Sequence, residues 1–488
     1  MKLSKLNSQQ KHPLDNSKFD YNSLSRLSTK AANSRRILHT HLDHLTSQFA
    51  KNKHIGVAVS GGSDSLCLLI LAADWALLHG WKVSACTVDH GLRAAATLEA
   101  NYVHQLCNSA GIDHDILAVK WPTNLQSKPT QTTARTARHQ LLANWTRDKD
   151  ISALLVGHTL DDRIETMLMR ERSGSTDYGL AAMPSKSASP VWPDGRHLSI
   201  LRPANTLSRK DLCYVLEDIG IQWVCDPSNE NTKYERVRAR LEIRSMSETN
   251  RTLIKKRLDE LTQKRIDTNA VVSDFLERQT IWHKDGRASF NTSHFLKLAD
   301  AIKYRILERI LLCVSGTPKP VNISRVKKLL ETIDGSELNT KSKVNCLGNC
   351  WIHTNIEEMQ ISLMPPKNKT VPKDQTGTDT PILIAPGQSA IFMGRFLVSL
   401  SHEARPALVS TWENTFKHQI KHGKHPDRIC SNAHANRAYP VLIDADIEQC
   451  KKRSDEYTPQ QLLPHEYTIK CLHEARKNHL CDEEFILI

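Results

Sequence analysis

The segment from Ile55 to Leu71 constrains the fold of this chain more than any other: an apolar run, Ile55-Gly56-Val57-Ala58-Val59, then Ser60-Gly61-Gly62-Ser63-Asp64-Ser65, then Leu66-Cys67-Leu68-Leu69-Ile70-Leu71. Val- and Ile-rich runs of this length suit a buried parallel strand. Two glycines allow a tight turn, and a Ser/Asp-rich turn suits the first residues of a helix. The N–H groups at a helix start lack partners, and with the helix dipole they favour an anion such as phosphate. No Gly-Lys-Ser/Thr follows at kinase-loop spacing, so this is another type of phosphate loop, or else an ordinary turn.

The flanking pattern favours the loop. After a lead helix from Ile37 to about Phe49, strands are expected at Val57–Ser60, Lys82–Asp89, His114–Val119 and Ile151–Val156. Helices are expected at Ser65–His79, Thr97–Ala110 and Ala134–Lys149 between them. Such alternation predicts an α/β fold, a doubly wound parallel sheet whose ligands sit beyond the carboxyl ends of the strands. Two strand ends run into polar groups: Asp89-His90-Gly91-Leu92-Arg93, and Gly157-His158-Thr159-Leu160-Asp161-Asp162-Arg163-Ile164-Glu165-Thr166. On a helix starting near Leu160, Asp162 faces the same way as Glu165 or Thr166. These carboxylates suit Mg²⁺ against phosphates or an ammonium group; equally, acids in a first turn cap a helix.

The chain has 488 residues, enough for about three domains of about 150 residues each. A net charge of +13 and a pI near 9.1 suit a polyanionic partner, nucleic acid first, or simply a basic enzyme. Twelve cysteines in so long a chain are not a disulfide framework, and Cys346-Leu-Gly-Asn-Cys350 lacks a second pair for a metal site. No apolar stretch of about 18 residues suggests a membrane span, so a cytoplasmic location is expected.

Residues 1–36 read as a polar extension and 37–245 as the catalytic domain. Residues 246–335 read as a small helical domain, from the basic stretch Arg251–Arg265 and the helical spacing of Phe275, Leu276, Phe295, Leu296, Ile306, Leu307, Ile310 and Leu311. A Pro/Lys/Thr-rich linker runs from Pro365 to Thr380, and strands follow at Ile382-Leu383-Ile384, Ile391-Phe392 and Arg395–Leu400. They make 336–488 a β-containing domain.

Ser60-Gly61-Gly62-Ser63-Asp64-Ser65 resembles the SGGxDS signature of the PP-loop ATP pyrophosphatases. His90-Gly91-Leu92-Arg93, Ala134-Arg135-Thr136-Ala137-Arg138-His139 and Gly157-His158 through Glu165-Thr166 resemble successive blocks of the tRNA(Ile)-lysidine synthases. So do Arg170–Gly174, Gly179–Pro184, Leu201-Arg202-Pro203 with Ser208-Arg209, Trp223–Asn229 and Tyr234–Arg240. The resemblance covers roughly residues 37–245. It departs at Val237, where that family usually has Asn, and at His139, where it usually has Tyr.

The resemblance implies a ligase that uses ATP and Mg²⁺ to adenylate C2 of the wobble cytidine in CAU-anticodon tRNA(Ile), after which free L-lysine displaces AMP to give lysidine. It implies that Ser60, Gly61, Gly62, Ser63, Asp64, Ser65, His90 and Arg93 bind the nucleotide, with Asp64 and Asp162 as metal ligands. His158, Asp162, Glu165 and Arg138 are the implied reaction-site residues, with Asp162 expected at a surface strand end. Arg172, Arg202, Arg209, Arg236 and Arg238 are expected to face tRNA, or to form a solvated basic rim, and the C-terminal domain to hold tRNA. A homodimer is compatible with the fold, and no membrane partner is expected. Sulfur-transfer relatives would need paired cysteines or a catalytic thiol, and no Cys stands out at the strand ends opposing the loop. Amidotransferase relatives would need a glutaminase half, for which no nucleophile motif is visible. A non-catalytic RNA-binding protein would not need Asp64, Asp162 and Glu165.

Overall fold

The expected β-α alternation is present in the computed structural model, which describes residues 19–49, 51–91, 94–121, 130–224, 235–283, 286–317, 320–333, 343–364, 382–384, 387–392, 396–401, 407–411, 440–444 and 467–471. Residues up to Asp267 form one unit and those from Thr268 a second.

The first unit is built on strands β1 (His54–Ala58), β2 (Lys82–Asp89), β3 (Asp113–Ala118), β4 (Ala153–Val156), β5 (Lys186–Ala188) and β6 (Ser199–Leu201), in the order β3-β2-β1-β4-β6-β5. Neighbours pair in parallel except β5, which runs antiparallel on β6. Its helices are α1 (Thr29–Thr46), α2 (Ser63–His79), α3 (Ala94–Ser109), α4 (Gln131–Asp148), α5 (Leu160–Arg172), α6 (Asp177–Leu180), α7 (Arg209–Asp218) and α8 (Glu235–Ser245). A further helix, α9 (Glu248–Asp274), runs from this unit into the second.

Alternation along β1 sorts its side chains into two layers. Ile55 and Val57 pack with Leu38, Leu42, Leu66 and Leu212 on one face, and Ala58 packs with Leu142, Trp145 and Leu154 on the other. Each fully buried aliphatic chain contributes roughly 1.5–3 kcal/mol. The chain turns back between β1 and β4, which makes their carboxyl ends the crevice of the sheet.

The polar extension expected through residue 36 ends earlier. Phe19, Leu24 and Ala31 are buried in the core, and Arg35 on α1 pairs with the buried Asp74 at 2.6 Å. Apolar residues are sparse in this stretch, so its buried face gave little periodic signal. Residues 1–18 lie outside the described residues.

In the second unit, β7 (Thr280–Trp282), β8 (Ala288–Asn291), β9 (Lys343–Leu347), β10 (Cys350–Thr354) and β11 (Glu358–Leu363) form an antiparallel sheet in the order β7-β8-β11-β10-β9. Helices α10 (Thr292–Leu296), α11 (Asp300–Ser315) and α12 (Ile323–Ile333) bury their apolar residues with it around Phe275, Phe290 and Phe295. Region 246–335 is therefore not wholly helical, and the expected boundary after residue 335 falls inside one sheet, because β8 pairs with β11. Strands of three or four residues between helices carry too few alternations to be read.

The strands expected near 382–400 are β12 (Ile382–Ile384), β13 (Ser389–Phe392) and β14 (Phe396–Leu400). They join β15 (Ala407–Thr411), β16 (Pro440–Asp444) and β17 (Tyr467–Cys471) in two three-stranded sheets, β12-β15-β16 and β13-β14-β17. The expected linker at 365–380 lies outside the described residues. Among the described residues no helix is long and apolar enough to cross a membrane.

Candidate functional site

The loop after β1 turns through Gly61, whose φ of +79° favours glycine, and its carbonyl accepts the Val224 N–H at 2.9 Å. Ser65 Oγ holds the loop from inside, accepting the Ser60 N–H at 3.1 Å and donating to the Gly62 carbonyl at 3.1 Å. Helix α2 starts at Ser63, two residues earlier than expected, with Asp64 in its first turn. At the end of β4, a Cβ on Gly157 would lie 2.9 Å from Ser65 Cα. Only glycine lets the end of β4 approach the first turn of α2 this closely.

A cavity of about 340 Å³ opens beside the loop, lined by Ser60, Gly62, Cys86, Thr87, His90 and Arg138 among others. That volume suits a small ligand. Burial and then Arg138 push the His90 imidazole below its ordinary value, so it stays neutral in this cationic corner. Leu92 and Arg93 lie outside the described residues. Cys86, which the sequence did not single out, lines the cavity from within β2; burial pushes its thiol far up.

On the other side of the loop stands a lattice of charges. Asp64 accepts from Arg209 Nε at 2.9 Å. Asp162 Oδ1 accepts from Arg236 Nη2 at 3.0 Å; Glu165 accepts from Arg236 Nε at 2.9 Å and from Arg240 Nε at 2.8 Å. The two expected readings of Asp162 divide between its oxygens, because Oδ2 accepts the Thr159 N–H and hydroxyl at 2.9 and 3.1 Å and caps α5. Asp161 caps another helix, accepting the N–H of Arg209 at the start of α7 at 2.7 Å.

Asp162 was expected at the surface and is instead 5% exposed; Glu165 is 1% exposed. Their position under α8, a helix not foreseen as a cover, accounts for this. Burial raises the Asp64 carboxyl, Arg209 opposes that, and the nearby Asp162 adds to it. For Asp162 burial works upward too, but the guanidinium groups of Arg236 and Arg209 and the Thr159 N–H outweigh it and hold the carboxyl below its ordinary range.

The arginines expected to face tRNA separate into groups. Arg202 is buried among β5, β6 and the end of β4, which removes it from any basic rim. Arg209 and Arg236, about one third exposed, neutralise the acidic lattice. Arg172 is exposed and pairs with Glu242; Arg238 is exposed on α8. Sequence reasoning missed Arg240, although its spacing of four from Arg236 puts both on one helix face. It also missed Arg202 beside His158, whose contact spans 44 residues and has no local signal. Residues 225–234 lie outside the described residues.

A glycine-bent loop between β1 and α2, set at the point where the sheet changes direction, places this chain among PP-loop proteins, and the family description "PP-loop domain" matches residues 34–246. Among curated relatives, a tRNA(Ile)-lysidine synthase of Hyphomonas neptunium is 50% identical over 186 residues, 38% of this chain. There the chain spans about half the relative's length, 49%. The alignment with the enzyme of that name from Orientia tsutsugamushi is longer, 30% identical over 66% of this chain and 73% of the relative. With the one from Bradyrhizobium it is 31% identical over 67% of this chain and 94% of the relative. The chain belongs to the tRNA(Ile)-lysidine synthase family.

Proposed function

We propose that this protein is a ligase that joins lysine to C2 of the wobble cytidine of CAU-anticodon tRNA(Ile), using ATP and releasing pyrophosphate and AMP. The observation that carries the reading is the arrangement around the loop: a cavity of nucleotide size with Arg138 and His90 on one side, and the buried carboxylates Asp162 and Glu165 on the other.

The loop from Ser60 to Ser65 binds the ATP phosphates, with unpaired helix N–H groups aimed at them. Arg138 and His90 flank the nucleotide in the cavity. Asp64 and Asp162 fit Mg²⁺: both offer hard oxygen donors, the charge of Asp162 raises the cost of charging Asp64, and one or two carboxylates plus phosphates are its usual ligands. The ion, when bound, supplies positive charge against the polyphosphate. The cytidine C2 oxygen attacks the α-phosphorus and pyrophosphate leaves; the lysine amine then attacks C2 and AMP leaves. Glu165 and Asp162, already matched to guanidinium groups, suit the ammonium of lysine. Arg172 and Arg238, exposed on the same unit, meet tRNA phosphates, and the β-rich C-terminal region also grips the tRNA.

The sulfur-transfer alternative gains nothing from Cys86, since a buried thiol with a raised pKa is a poor nucleophile. The test is transfer of radiolabelled lysine to CAU-anticodon tRNA(Ile) with ATP and Mg²⁺, with elongator tRNA(Met) as control. Label in tRNA(Ile) alone is expected; AMP release dependent on tRNA without label would replace lysine by another nucleophile.

A further inference from the structure

Arg202 is 1% exposed, an unusual place for a fixed positive charge. Its Nη1 donates to the Pro184 carbonyl at 3.0 Å and to Ser187 Oγ at 2.9 Å, and its Nε donates to His158 Nδ1 at 3.2 Å. A guanidinium has only donors and keeps its proton. The last bond therefore has one possible direction, with the lone pair on Nδ1. A neutral imidazole carries one ring proton, which then sits on Nε2. Burial, and then the charge of Arg202, push the ring down to about 3, so the neutral form is the one present. Among the described residues Nδ1 is the only nitrogen of this ring with a hydrogen-bond partner. The ring is half-buried, next to Gly157, which abuts the start of the loop helix at Ser65.

We infer that Arg202 is a positioning residue that locks His158 as the Nε2–H tautomer, so that His158 serves as a hydrogen-bond donor to a phosphate oxygen at the loop and not as a base. The tautomer stands on geometry alone, and the phosphate acceptor rests on the proposed ATP-dependent reading. A base at this position would need a free lone pair, and the guanidinium occupies the only one the ring has.

The test combines a tautomer readout with paired substitutions. In ¹⁵N-histidine protein, with the His158 signals among its 23 histidines assigned by their absence in His158→Gln, the shifts should report a protonated Nε2 and an unprotonated Nδ1. In Arg202→Met that preference should be lost, while Arg202→Lys should retain it in part. Lysine transfer should separate two amides: Gln places its N–H near the Nε2 position, Asn near Nδ1. His158→Asn is expected to lose roughly 10²–10³ in rate, the usual cost of one donor to developing charge, and His158→Gln clearly less.

Protonation at Nδ1 in the wild type would overturn the inference even if lysine transfer proceeds. Equal loss in the Gln and Asn variants, together with disappearance of an acid limb in the rate profile, would overturn it in favour of a base. A wild type with the Nε2–H tautomer but no ATP-dependent transfer would instead sink the functional reading and leave the tautomer assignment standing. Should Arg202→Met not fold, the wild-type spectrum and the two His158 variants still decide.

Discussion

Among the described residues both units hold ion pairs, but they draw the partners from different distances. In the second unit Lys303 pairs with Asp300 and Arg305 with Glu308, each three residues away on the same helix. In the first unit Asp64 meets Arg209 across 145 residues, and Glu165 meets Arg236 across 71. A charge partnered along its own helix needs no fold beyond that helix, and it anchors long side chains against the core. Charges brought together from separate elements are costly to desolvate, and replacing such a lattice by apolar residues is often neutral or stabilising. A lattice kept at the carboxyl ends of the strands fits the chemistry proposed for the first unit, and the local pairs of the second unit carry no such reading.

The sharpest way to break this contrast is Asp162→Asn, which keeps an oxygen to cap α5 but removes the charge shared with Arg236. Lysine transfer should fall by roughly 10³ or more, as for other groups acting on developing charge, with circular dichroism unchanged. Transfer within a few-fold of wild type would place the chemistry elsewhere. Next, Gly157→Ala forces a Cβ to 2.9 Å from Ser65 Cα. Displacing that backbone should cost about 1–3 kcal/mol in denaturant unfolding and raise the ATP requirement, since the loop moves with it.

A third prediction concerns acid stability. His114 is buried, bonded through its ring nitrogens to Thr87 at 2.9 Å and His104 at 3.2 Å, and burial followed by His104 pushes it down to about 4. A group whose folded pKa lies below its unfolded value stabilises the fold above the unfolded pKa, near 6.5, and that contribution is lost as pH falls toward the folded one. Unfolding free energy should therefore drop by on the order of 2–3 kcal/mol between about pH 6.5 and 4, and His114→Gln should flatten that slope. An unchanged slope would remove His114 from the acid response. The smallest effect belongs to Arg172→Ala. Its exposed pair with Glu242 contributes about 0–1 kcal/mol to stability, while the salt dependence of tRNA binding should weaken by about one counterion. No change in the salt slope would take Arg172 off the tRNA face.

The loop was legible because its signal is local: a Val/Ile strand, two glycines and a Ser/Asp helix start lie within seventeen residues. The neighbouring carboxylates Asp162 and Glu165 were legible for the same reason, as residues three apart on one helix. Illegible was everything that depends on which distant chain segment arrives. Arg202 reads as one more basic residue until Pro184, Ser187 and His158 surround it. Asp162 reads as an exposed cap until α8 brings Arg236 over it. Similarly, β7 and β8 are short and reveal themselves only through pairing with β11, far along the chain.

The most direct test of the contrast between the two units is lysine transfer by Glu165→Gln and Glu308→Gln, measured side by side with their thermal midpoints. Each substitution removes a carboxylate charge from an arginine pairing, that of the buried Glu165 with Arg236 and Arg240 and that of the half-buried Glu308 with Arg305, so both should lower the midpoint. Transfer should be lost in Glu165→Gln and persist at wild-type rate in Glu308→Gln at temperatures where both are folded. Wild-type transfer in Glu165→Gln would contradict the contrast.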